Sequence, residues 1–136
     1  MSDFNQAIID EFRANAGKVG GYFTDTNILL LHTTGAKSGQ QRINPLVYIV
    51  DAGHLVVVAS KAGADSHPDW YYNLLANPIT SVELGTETFQ VRATVVVEEP
   101  ERSRLFARMA AYRSGFAAYE QKTTRKIPAI VLERIA

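Results

Sequence analysis

Residues Leu29–Tyr48 read LLLHTTGAKSGQQRINPLVY. Two apolar, β-prone runs flank a turn that holds Gly35, Lys37, Ser38, Gly39 and Arg42. Short apolar runs bounded by turn residues read as strands, which predicts strands over 28–34 and 44–50. Pro45, near the start of the second, suits a strand end or an edge. The turn gathers backbone N–H groups, a hydroxyl and two fixed cations in a small volume. That chemistry suits an anion, most simply a phosphate. An ordinary solvated hairpin is the other reading of the turn taken alone.

The same pattern continues downstream. Asp51-Ala52-Gly53 is a hairpin turn, and residues 55–59 form a third strand. Three short strands joined by tight turns argue for an antiparallel meander. After a loop over 60–65, Pro68 fits the first turn of a helix capped by Ser66 or His67. That helix carries Trp70, Tyr71, Leu74 and Leu75 and stops at Asn77-Pro78. Strands over 80–84 and 88–97 turn at Gly85-Thr86. In the second, Val91, Ala93, Val95 and Val97 alternate with Arg92, Thr94 and Val96, so one face is buried. A helix spans 101–112 with Leu105, Phe106 and Met109 on one side, a weaker helical turn covers 116–123, and residues 127–132 close the chain as a strand.

Upstream, Phe4, Ile8 and Phe12 recur every fourth residue and Ile9 widens the stripe, predicting an amphipathic helix within residues 1–16. Ser2 or Asp3 can cap it. It either docks on the core or serves as a lid or membrane-surface segment, although its polar face is not strongly basic. The order is helix, three strands, helix, two strands, helix, strand. This is the α+β class: an antiparallel sheet of about six strands with peripheral helices, of a kind that closes into a barrel to remove its edges. Val57, Val91, Val95 and Ile130 are the expected core.

Composition narrows the function. At 136 residues the chain is read as one domain over 1–136. Fourteen basic residues balance fourteen acidic ones, which argues against a nucleic-acid surface. With no cysteine, thiolate metal sites, disulfides and thiol catalysis are excluded. His32, His54 and His67 show no close ligand spacing, so no metal site is expected. No apolar run approaches the roughly 20 residues that span a bilayer. The start, MSDFNQAIIDEF, lacks a basic n-region. The expected address is the cytoplasm, with peripheral contact at the inner membrane face through the first helix as the alternative.

A second cluster, Ala59–Asn73, reads ASKAGADSHPDWYYN. Ser60, Lys61 and Gly63 leave a strand end, where a flexible backbone can approach a ligand. Lys61 is a third cation, one hairpin from Lys37 and Arg42. Three cations from two loops suit a polyanion, and solvated surface side chains are the competing reading of each one singly. No G-x-S-x-G pattern is present, which disfavours serine hydrolysis.

The runs TTGAKSGQQRINPLVY and VVASKAGADSHPDWYYNLLANP, with the later Tyr119…Arg125…Ile127-Pro128 segment, resemble the deazaflavin-dependent nitroreductase and quinone reductase family. The resemblance extends over about residues 28–131. It implies an FMN-binding-like split β-barrel over 28–132 and reduced coenzyme F420, an 8-hydroxy-5-deazaflavin, as hydride donor. The acceptor it implies is electron-poor: a quinone, with nitro compounds as a further class. F420 carries a phosphodiester and a polyglutamate tail. By the resemblance, Lys37, Ser38, Arg42, Ser60 and Lys61 hold these anions, and the backbone near Pro45, Leu46, Val47 and Ala59 faces the ring. Trp70 is assigned to the core. Tyr112, Phe116 and Tyr119 form an acceptor wall, with Tyr119 as proton donor. Tyr119 as a packing residue, with solvent as the proton source, is the alternative. Ala36 stands where the family often has arginine, and Arg113 and Phe116 where it often has tyrosine, so tail affinity and acceptor range are expected to differ. An FMN-dependent reductase on the same barrel and a non-catalytic flavin or haem module are the alternatives.

Overall fold

The first hairpin is present, but its second arm is broken. The computed structural model describes residues 3–135. In it β1 (Ile28–Thr34) pairs antiparallel with β2 (Gln41–Val47), and the chain then breaks at Tyr48 before β3 (Ile49–Asp51). The Tyr48 amide still donates to the Asn27 carbonyl, in register with the β1–β2 ladder, and the chain then leaves β1 so that Ile49 pairs with β4. The single strand expected over 44–50 is thus two strands with different partners. β3 turns through Ala52 and Gly53, both at positive φ, into β4 (His54–Val58). That is the type I′ geometry of a two-residue hairpin.

The remaining strands are β5 (Ile79–Leu84), β6 (Glu87–Val96) and β7 (Ala129–Arg134). The sheet order is β2-β1-β5-β6-β7-β4-β3, and every pairing is antiparallel. Its first and last strands are separated in sequence only by Tyr48, so the sheet must curl until its two ends meet there. β3 covers β4 only as far as Ile49↔Val56. Beyond that point the edges of β2 and β4 face each other unpaired, which makes the barrel a split one. The fold is α+β with seven strands where about six were expected, the extra one arising from the break at Tyr48. Pro45 sits opposite Leu30 on the sheet-end strand β2, where its missing N–H costs no second ladder bond.

Side chains alternate between the two faces of the sheet along each strand. Leu29, Leu31, Val57, Val82, Val91 and Ile130 pack on one face with Trp70, Tyr71 and Leu74 of α2 (Asp69–Ala76). On the other face, Val56, Val58 and Ala129 pack under Leu105, Phe106 and Met109 of α3 (Glu101–Tyr112). Also on that face, Ile28 and Leu30 pack under Ile8, Ile9 and Phe12 of α1 (Asp3–Ala14). β1 is buried on both sides, which explains its unbroken apolar start. Val57, Val91 and Ile130 are fully buried as expected, whereas Val95 is half-buried. Val97 lies beyond β6 and is 43% exposed, and Leu75 is 53% exposed, so neither belongs to the core face expected of it. Pro68 itself is the N-cap of α2, with no side-chain cap bond from Ser66 or His67. Ser2 and the side chains of Asp3 and Phe4, named above as caps and stripe, lie outside the described residues and side chains. α4 (Gly115–Gln121) follows α3.

α1 docks on the core through its apolar stripe. Three buried side chains each contribute about 1.5–3 kcal/mol. The bidentate Arg13–Glu83 pair at its end is partly exposed and adds at most about 1 kcal/mol. Apolar burial therefore holds this helix in place.

Candidate active site

The split between β2 and β4 contains a recess of about 140 Å³ lined by Pro45, Leu46, Val47, Val58, Ser60 and Phe116, with Ile8 of α1 reaching it. Three residues expected at a ring, one expected at an anion and one expected at an acceptor thus converge. The walls are apolar apart from Ser60 and Asn5. The volume is below the roughly 300–1,000 Å³ usual for small-molecule sites, with α1 and α4 both contributing to its lining.

Lys37 and Arg42 lie at the other end of β2. Leu46 is five residues from Gln41, about 17 Å along an extended strand. Arg42 belongs to β2, opposite Thr33, rather than to the turn. Lys37, Arg42 and Lys61 are exposed, and none has a carboxylate partner among the described residues. Lys61 Nζ donates only to the Ser66 hydroxyl, at 3.2 Å. Elsewhere Arg13, Arg102, Arg104, Arg108, Lys126 and Arg134 are all ion-paired. Lys37, Arg42 and Lys61 are thus among the cations left without a carboxylate, and they lie on the segments singled out in the sequence.

Two polar side chains that the sequence reading passed over shape those loops. Asn73 of α2, buried, accepts from the Ala36 amide at 2.9 Å and donates to the Thr33 hydroxyl at 3.1 Å. The turn itself is closed by Gly35 N–H to Gln40 O, at 2.7 Å, and by the Gln40 amide on Ser38 Oγ, at 3.1 Å. The second loop is held by Arg125. It donates to the carbonyls of Ala59, Ser60 and Ala64 at 3.1, 2.9 and 3.0 Å, and to His67 Nδ1 at 2.7 Å. Burial lowers the His67 pKa, and the adjacent guanidinium lowers it further, so the ring is the neutral acceptor this contact needs. Burial also lowers the Arg125 pKa, from a value far above neutrality. The spacing of Asn73 after His67-Pro68 and the lone Arg125 before Ile127-Pro128 were visible signals, but their partners are distant backbone atoms that no periodicity reveals. α2 is eight residues long, about 12 Å, so Asn73 and the His67 contact bring both loops alongside one short helix.

The loop Ser60–Gly63 is strained. Lys61 and Ala62 have φ of 46° and 53°, and Gly63 follows at 84°. Left-handed backbone costs a side-chain-bearing residue about 1–2 kcal/mol, so this shape needs outside support. A Cβ on Gly63 would lie 2.9 Å from the Tyr119 carbonyl and from Lys122 Cβ, so only glycine allows the loop to seat on α4. The αR-to-left-handed step from Ser60 to Lys61 also curls successive N–H groups into a shape that favours anions.

Other expected site residues are placed differently. Ala59 is fully buried, and its N–H and carbonyl are spent on Pro128 and Arg125, so it backs the split rather than facing it. The Tyr112 hydroxyl accepts from the Asn27 amide at 2.8 Å and ties α3 to the start of β1, and Tyr112 does not itself line the recess. Tyr119 stands behind Phe116, with ring centroids 5.6 Å apart, and its hydroxyl makes no hydrogen bond among the described residues.

Removing the Asn73 amide tests how much the first loop depends on it. Asn73→Ala leaves the Thr33 hydroxyl unpartnered in a buried setting and removes the acceptor of the more exposed Ala36 N–H. It should cost about 1–3 kcal/mol and lower the melting temperature by roughly 4–12 °C. A melting curve superposing on that of the parent would show that Asn73 contributes nothing there.

A family model described as F420H(2)-dependent quinone reductase matches residues 6–134. An F420H(2)-dependent quinone reductase of Mycobacterium tuberculosis (strain ATCC 25618 / H37Rv) is 36% identical over 126 residues, covering 90% of this chain and 85% of the relative. The solved structure of an F420-H2 dependent reductase, FDR-A, has a TM-score of 0.70 at 38% identity, covering 79% of this chain and 94% of that one. A chain solved as a domain-swapped dimer has a TM-score of 0.72 at 35% identity, covering 94% and 93%.

Proposed function

This chain belongs to the F420H(2)-dependent quinone reductase family, and from that premise we propose how its split barrel holds the cofactor and the acceptor. The protein is an oxidoreductase whose hydride donor is reduced coenzyme F420 and whose acceptor is quinone-like. The residues fit such a group. Lys37, Arg42 and Lys61 offer three unpaired cations, with Ser38 beside them, to a phosphate and an anionic tail. Further along β2 from Arg42, and next to Ser60-Lys61, the apolar recess at Pro45, Leu46 and Val47 offers a wall for a flat ring. One elongated ligand, charged at one end and planar at the other, satisfies both. An apolar recess flanked by unpaired cations from β2, the turn before it and the Ser60–Gly63 loop is the observation that best supports this reading.

When bound, the cofactor supplies hydride; quinone reduction to the quinol also consumes one proton. The chain's part is to place ring and acceptor in contact and to limit water. Phe116 lines the recess and presents an aromatic face to a flat acceptor. Tyr119, beside it, carries an uncommitted hydroxyl that can hydrogen-bond the acceptor oxygen and deliver the proton. Tyr112 is a weaker candidate, because its hydroxyl already anchors Asn27. No helix among the described residues is long and apolar enough to cross a membrane. Docking at a membrane face through α1 would require Ile8, Ile9 and Phe12 to leave the core.

The test is a titration of the purified chain with F420 and with FMN, followed by steady-state oxidation of reduced F420 by a soluble quinone. F420 should bind more tightly than FMN and turn over only with quinone present. Tighter FMN binding would favour an FMN reductase on this barrel. Saturable F420 binding without turnover would reduce the protein to a carrier.

A further inference from the structure

We infer that Arg125 is a positioning residue for cofactor capture, holding the loop Ala59–Ala64 in the shape that brings Ser60 to the split and sets Lys61 next to it. The inference rests on the assignment of that loop to the F420 site. Arg125 does not line the recess, so it acts through the loop rather than on the ligand.

Four of its five N–H donors are committed to this task. Three go to carbonyls at the two ends of the loop, Ala59 and Ser60 on one side and Ala64 on the other. The fourth goes to His67 Nδ1. A planar guanidinium reaching three carbonyls fixes both their separation and their direction, which a lysine ammonium cannot do. The loop between these anchors contains the consecutive left-handed residues Lys61, Ala62 and Gly63 and relaxes without them. His67 fixes the guanidinium in turn. Its ring lies against Tyr71, with centroids 4.5 Å apart, and Tyr71 is buried in the core. Thr123 completes the lacing: its hydroxyl donates to Asp65 at 2.7 Å and accepts from the Arg125 amide at 3.0 Å. The segment 123–125 thus clamps the loop from outside the split, while Gly63 seats it on α4, the helix that carries Phe116 and Tyr119.

The test compares the parent with Arg125→Lys and His67→Phe. The measurements are oxidised F420 affinity by fluorescence, KM for reduced F420 against kcat with a soluble quinone, and hydrogen exchange across the chain. Arg125→Lys keeps the charge and loses the fork. It should weaken F420 binding by about tenfold or more and raise KM for reduced F420 in parallel, with kcat at saturation changed by no more than about threefold. Exchange should accelerate within 59–64 and stay at parent level in β5 and β6. His67→Phe removes one contact of four and should shift affinity in the same direction by a smaller factor. Parent-like affinity in Arg125→Lys would overturn the inference. So would accelerated exchange throughout the sheet in both variants, which would make Arg125 a residue of the fold alone. If the parent itself bound no F420, the assignment of the site would fall. The exchange data would still judge the clamp, because unchanged protection at 59–64 in Arg125→Lys refutes it in the ligand-free protein.

Discussion

Replacing Lys37, Arg42 and Lys61 together by alanine should weaken F420 binding by roughly 100-fold or more while leaving the melting temperature within a degree or two of the parent. The three side chains are exposed and have no carboxylate partner among the described residues, so the fold loses no ion pair with them. Toward an anion, each lies between a screened surface pair, worth about 0.2–1 kcal/mol, and a well-formed charge-assisted bond, worth about 1.5–3 kcal/mol. About 1 kcal/mol apiece sums to roughly 3 kcal/mol, or a little over two decades of affinity. Two controls separate this from a general loss of binding. Affinity of the parent should fall as salt rises, and the slope should flatten in the triple variant. FMN, with one phosphate and no anionic tail, should lose much less. A triple variant that binds F420 like the parent would return all three residues to the solvated surface.

Tyr119→Phe should lower kcat with a quinone acceptor by roughly 100-fold, with F420 affinity little changed. The substitution keeps the ring that packs on Phe116 and deletes only the hydroxyl, so neither the wall nor the hydrophobic contacts beneath it should shift. The same substitution at Tyr112 should behave differently. That hydroxyl accepts the Asn27 amide, and its loss should appear in stability rather than turnover. A solvent isotope effect on kcat in the parent that disappears in Tyr119→Phe would support proton delivery by this group. If kcat stays at the parent value and only the acceptor KM rises, Tyr119 orients the quinone and solvent supplies the proton. If both are unchanged, Tyr119 is a packing residue.

Much of this was legible in the chain. Alternation along β6, the apolar runs of β4 and β7, the Ala52-Gly53 and Gly85-Thr86 turns, and the helix over Glu101–Tyr112 follow from local preferences that the tertiary structure does not override. The basic turn and the Ser60-Lys61 loop could be named because cations clustered beside glycines are visible in sequence. Their convergence was not. That the strand after Arg42 would leave β1 beyond Tyr48 and take β4 as its next partner is settled by pairing between distant segments, which no local pattern records. This break turns a meander into a split barrel and brings Pro45–Val47 opposite Val58 and Ser60.

By its periodicity, turn chemistry and composition, the sequence determined an antiparallel α+β domain without thiol chemistry and with cations set beside the glycines of two turns. Tertiary structure alone decided three things. Ala59 and Tyr112 are spent on internal hydrogen bonds, Tyr119 keeps its hydroxyl free of them among the described residues, and Asn73 and Arg125 hold the loops in shape. The physical reason is the range of each force. Hydrophobic periodicity and turn preference act between near neighbours, so the order of residues records them. A buried polar side chain is satisfied by whatever backbone atom the fold delivers to it, and that partner is settled only when distant segments pack.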